Sequence, residues 1–112
     1  MAYDDDLADR IRGLLSERSA EVSERKMFGG VAFMVRDHMT VGVIGDELMV
    51  RVGKDAHEDA VAQPHARVMD FTGKPMPGMI YVAASGIAND TALGTWIDRG
   101  LAFTTTLPPK NT

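Results

Sequence analysis

The run Lys26 to Val52, K-M-F-G-G-V-A-F-M-V-R-D-H-M-T-V-G-V-I-G-D-E-L-M-V-R-V, restricts this chain more than any other stretch. It reads as three short antiparallel strands joined by tight turns, with apolar residues on both faces. Val31, Phe33 and Val35 share one face of the first strand, Met27 to Val35, and Phe28, Ala32 and Met34 share the other. Arg36-Asp37-His38 is the first turn and Met39 to Ile44 the second strand. Gly45-Asp46-Glu47 turns into a third, Leu48 to Val52. A sheet apolar on both sides has to be covered on both sides.

Two longer segments supply cover for one of them. Leu7, Ile11, Leu14 and Leu15 fall on one helical stripe, with Asp4 to Asp6 at its start. Carboxylates there cap free N–H groups and oppose the helix dipole; a metal-binding acidic cluster is the other reading. A last helix starts near Asn89, with Leu93, Trp96, Ile97, Gly100 and Leu101 on one face. Between the two lie a short helix from Asp55 to Ala62, with Asp55 as its N-cap, and strands at Ala66 to Phe71 and Met79 to Ala83. The order α-β-β-β-α-β-β-α predicts a two-layer α+β fold with a five-stranded, mainly antiparallel sheet. At 112 residues this is one domain, 1–112, with a frayed tail over 104–112.

Charge is uneven. Residues 1–24 hold seven acids against three arginines, a balance of -4, and the remainder balances to zero. No basic block offers a nucleic-acid footprint, so direct nucleic-acid contact is not expected. The absence of cysteine excludes disulfides, thiolate nucleophiles and thiolate metal sites, and suits the cytoplasm. No apolar run approaches the ~20 residues that span a bilayer, and the acidic start lacks the features of a signal peptide.

The residues that carry chemistry form no convincing constellation. His38 sits in a turn, His57 on the short helix and His65 beside Pro64, all expected to be solvated. Asp55, His57, Glu58 and His65 could hold a cation, but their spacing matches no metal motif. Ser23 or Ser85 could join a histidine and a carboxylate on paper, yet a triad is recognised by geometry. Phe28-Gly29-Gly30 suggests a bulge or a close backbone approach. Gly73 to Gly78 lacks the order of a phosphate loop, and Pro75 and Pro77 remove donors, so it reads as a rigid hairpin connection. No catalytic residue, metal or cofactor is expected.

Two surface features remain. Lys26, Arg51, Arg67 and Lys74 could form a small basic patch, although strand-borne bases usually protect edges. Phe28, Met34, Ile44 and Met49 fall on the second sheet face, which two long helices leave without cover. Methionine fills irregular cores and also lines adaptable binding surfaces. An uncovered apolar face predicts protein binding and self-association as a two-fold dimer.

The segments E-R-K-M-F-G-G-V-A-F-M, G-D-E-L-M-V-R-V, F-T-G-K-P-M-P-G-M-I-Y-V and L-G-T-W-I-D-R-G-L, in this order, resemble the N-terminal domain of the TfoX/Sxy family over about residues 5 to 105. That resemblance implies a bacterial regulatory module with a fold like that of type III secretion chaperones. The family's competence regulators carry a second, C-terminal domain, and this chain stops after the first. The resemblance carries no catalytic residues. The function expected is therefore a non-enzymatic module that binds protein partners through its sheet surface. The alternatives are a nucleic-acid-associated transcription or competence regulator and a small ligand-binding domain or enzyme.

Overall fold

The structure, a computed structural model, describes residues 3–18, 21–27, 29–71 and 74–107; for residues 27, 69–71 and 74–77 the description covers the backbone. The element order is α1 (Asp5–Glu17), β1 (Val22–Met27), β2 (Gly30–Val35), β3 (His38–Ile44), β4 (Glu47–Arg51), α2 (His57–Val61), β5 (Ala66–Phe71), β6 (Lys74–Val82) and α3 (Asp90–Thr104). The fold is α+β, with an antiparallel sheet of order β1-β2-β3-β4-β6-β5.

The sheet has six strands where the sequence predicts five. The expected first strand is two strands: β1 ends at Met27, which pairs with Gly30 at the start of β2. Gly29 has φ 78, which glycine adopts at little cost, so it belongs to a hairpin turn and not to a bulge, while Gly30 opens β2 with the expected close backbone approach: a Cβ there would lie 2.0 Å from the Val43 carbonyl oxygen. β1, V-S-E-R-K-M, escaped notice because it is an edge strand: its described side chains are exposed on both faces, and burial imposes no apolar alternation on it. The last strand is longer than expected, beginning at Lys74. β4 pairs with β6 only over Met79–Val82, so Pro75 and Pro77 lie where β6 has β5 alone as a neighbour, and a missing donor is tolerated there.

α1 and α3 lie on one face, as their apolar stripes require. Asp4 caps α1 by accepting from the Leu7 N–H at 3.1 Å. Asn89 does the same for α3, accepting from Ala92 at 2.8 Å. Ile11, Leu15, Leu93 and Ile97 pack with Phe33, Val41, Val43, Leu48, Val50 and Ile80 in the main core, and Trp96 is buried with them. α2 is shorter than expected, and its N-cap position is Ala56, without a side-chain cap. At Phe33/Met34 the β2–β3 register shifts: Phe33 pairs with Val41 and Met34 with Met39. The extra residue, Thr40, is fully buried and meets the Thr104 hydroxyl of α3 at 3.0 Å. α3 therefore stays ordered through Thr104, and a turn carries the chain on to Leu107, whose carbonyl and that of Thr105 accept from Arg36. Of the tail expected to fray, residues 108–112 lie outside the described residues.

The second face covers itself. The registers place Arg25, Ala32, Gly42, Met49, Tyr81 and Arg67 in one row across all six strands. Ala32 and Gly42 leave a trough beside Met49, whose Cε fills it: a Cβ on Gly42 would lie 2.6 Å from that atom. Met49, Met79 and Tyr81 form a buried cluster with Met39 and Ile44 against it. Arg67 then lies 4.7 Å over the Tyr81 ring and pairs with Glu47.

Candidate functional site

The surface expected for protein contact is largely internal. Met49 is 0% and Met34 5% exposed, so neither presents a free side chain to a partner. Ile44 is half-buried, and Phe28 lies outside the described residues. Large side chains over small ones hid an apolar face that alternation alone left open. Among the described residues, Val22 at 37% is the exposed large apolar side chain.

The expected basic patch is not assembled either. Lys26 lies on β1 and Arg67 on β5, the two opposite edges of the sheet. Lys74 opens β6 opposite Phe71, and its side chain is outside the description. Arg67 is committed to Glu47, with a second contact of 2.7 Å between Nη2 and Oε1. Hydrogen bonding to Arg67, then charge attraction, holds the Glu47 carboxyl below its usual range, against burial. Arg12 and Glu24 pair in the same way at 2.6 and 2.8 Å. These pairs fasten α1 to β1 and β4 to β5 and leave no reactive group.

The histidines depart from the expectation of three solvated side chains. His38 begins β3 and is 7% exposed. His57 is half-buried, and its Nδ1 accepts from the Gly78 N–H at 3.0 Å. His65 is exposed and has φ 71; its Nδ1 meets Ser85 Oγ at 2.9 Å. Serine and histidine do come together there, but on open surface. No carboxylate bonds that imidazole among the described residues, and Ser23 sits far off on β1. The pair is a staple between the start of β5 and the 3-10 turn Ala84–Gly86. Among the described residues no group of three or more His, Cys, Asp or Glu could hold a metal ion. No helix among the described residues is long and apolar enough to cross a membrane.

A concave feature lies elsewhere. A groove of about 640 Å3 opens where the end of β4, the 53–56 turn, the Gly78–Met79 part of β6 and the last turns of α3 meet. Two glycines build its wall. Gly53 and Gly78 have φ 84 and φ 85, and the Gly78 carbonyl accepts from Val52 at 2.8 Å and from Gly53 at 3.2 Å. His57 takes the Gly78 N–H, so this crossing is hydrogen-bonded on both sides. Val52, Met79 and Phe103 make the apolar floor, and Met79 links the groove to the methionine cluster of the second face.

Arg51, Lys54 and Arg99 line the groove, and Asp55 is the acid among them. Arg99 is held by Asp59 at 3.1 Å and lies 5.2 Å from the Trp96 ring centre. The Arg51 guanidinium lies 5.3 Å over Phe103. Among the described residues Arg51 and Lys54 make no ion pair, nor do Arg25, Lys26 and Arg36, whereas Arg10, Arg12, Arg18, Arg67 and Arg99 all do; of the unpaired cations, Arg51 and Lys54 line the groove. Stacking on an aromatic face keeps a guanidinium in place while leaving its N–H edge to a ligand. Of the basic residues and the aromatic ring that shape the groove, Arg51, Lys54, Arg99 and Phe103, the sequence pointed only to Arg51. Arg99 and Phe103 stand one helical turn apart, beside the apolar stripe of α3, and the Gly53-Lys54 step directly follows a strand; those were the available signals.

Comparison with known proteins agrees with the architecture. The family model of the TfoX N-terminal domain matches residues 14–104. No curated protein and no solved structure gives a significant match.

Proposed function

This chain belongs to the TfoX N-terminal domain family, and from that premise we propose that it is a non-enzymatic regulatory module that acts by binding a protein partner in the groove between β4 and α3. The observation that carries this reading is that two cations, Arg51 and Lys54, make no ion pair among the described residues and sit together beside an apolar floor. Charged groups without an internal partner contribute little to the fold, while a cationic rim beside partly exposed aromatic surface is what an interface uses. Direct DNA binding is not part of the reading. The chain carries a net charge of -4, and DNA affinity rests on neutralising many phosphates at once.

Photo-crosslinking in the native cell tests it. A photoreactive residue at Ala102, exposed on the groove, is expected to give a protein adduct that disappears with Arg51→Glu. The same group at Gly13, exposed on α1, serves as the control. Equal adducts from both positions, or adducts indifferent to Arg51→Glu, contradict the reading.

A further inference from the structure

We propose that the groove receives an acidic segment of its partner, with one large apolar side chain lodged against Phe103 and Met79 and flanking carboxylates on Arg51 and Lys54. The inference rests on the reading above and adds the chemistry of the occupant. Asp59 already neutralises Arg99, and Arg51 and Lys54 against Asp55 leave the rim positive, so the occupant carries negative charge. Its charge is distributed. Arg51 is fixed over Phe103, and Arg99 is fixed by Asp59 and Trp96 about one helical turn away along α3. Arg51 on β4 and Lys54 in the turn after it offer two separate cations, which an extended segment with acids on either side of an apolar residue matches.

The floor decides the rest. Val52 is 4% and Met79 8% exposed, so these residues form a fixed base, while Phe103 is only half-buried and keeps part of its surface free. A large apolar side chain on the occupant removes that surface from water and lowers the local dielectric around the rim, which strengthens the charge pairs. Unlike a generic basic patch, this arrangement also demands an apolar anchor. A purely acidic chain satisfies the rim and leaves the floor wet.

Fluorescence anisotropy with the full chain tests the proposal. The probe is a short labelled peptide with one phenylalanine between pairs of aspartates. Its comparators carry lysines for the aspartates, or glycine for the phenylalanine, and free phenylpropionate is the competitor. The acidic phenylalanine peptide is expected to bind at least about tenfold more tightly than either comparator, and less tightly as salt rises. Arg51→Ala and Lys54→Glu should each weaken it about tenfold, with unchanged melting curves showing that the fold persists. Equal binding of the lysine peptide, or indifference to both substitutions, overturns the proposal. So does full competition by phenylpropionate at matched concentration, which marks a small-molecule site. If no peptide binds but Arg51→Glu still abolishes the Ala102 adduct, the acidic occupant is wrong and the protein-binding reading stands.

Discussion

A Cβ placed on Gly53 would lie 2.4 Å from Cδ1 of Phe103, so the end of β4 and the last turns of α3 meet with no room for a side chain between them. That contact sets the depth of the groove and the position of the ring on which Arg51 stacks. Gly53 also has φ 84, a conformation in which an L-residue costs about 1–2 kcal/mol. Gly53→Ala is therefore expected to destabilise the domain by about 1–3 kcal/mol and to displace the Phe103 ring. Urea unfolding measures the first effect. Gly13→Ala is the contrast. Gly13 is exposed in α1 with nothing within 4 Å of its missing Cβ, and the substitution should stabilise by about 0.5–1 kcal/mol.

Thr40 and Thr104 are both fully buried, and their hydroxyls lie 3.0 Å apart. Thr104→Val removes one partner while the Thr40 hydroxyl keeps the His38 carbonyl at 3.2 Å, so the change should cost about 0.5–1.5 kcal/mol. Adding Thr40→Val removes the hydroxyl that Thr104 met, so the double variant should lose less than the sum of the two single changes. A double-mutant cycle by denaturant titration measures the coupling. Strict additivity would show that the hydroxyls do not interact.

The Arg12–Glu24 pair gives a pH dependence of defined sign. Hydrogen bonding to Arg12, then charge attraction, lowers the Glu24 carboxyl from its usual 4.5, with burial acting in the opposite sense. The unfolded chain thus takes up its proton first as pH falls. The stabilisation is complete above about pH 4.5 and is lost as pH drops through the depressed folded value. Both side chains are more than a third exposed, at 41% and 38%, so solvent screening keeps the pair's worth at no more than about 1 kcal/mol. Glu24→Gln should melt slightly below the unaltered protein at neutral pH, and the gap should close in acid. A gap that widens below pH 4 would contradict the assignment.

What the sequence could reveal follows from where burial acts. α1, α3 and strands β2 to β4 carry apolar stripes because the core demands them, and Trp96 is buried with Leu93 and Ile97 as the helical period predicts. β1 carries no such stripe, because one neighbour and two exposed faces leave Glu24, Arg25 and Lys26 free to be charged. Met49 looked like surface because its cover is not an element. The cover is the missing side chain of Gly42 and the ring of Tyr81, which sequence separation hides. The groove was illegible for the same reason. Arg51, Gly78 and Phe103 come from three elements, and only the β4–β6 pairing and the packing of α3 bring them together.

The most direct measurement of the central claim is an amide chemical-shift map of the full chain titrated with the acidic phenylalanine peptide. The account predicts that the Gly53, Lys54, Gly78 and Ala102 amides move together and saturably, while those of the β1 edge, Val22–Met27, stay in place. Shifts centred on β1 and β2, or no shift in the groove at saturating peptide, would contradict it.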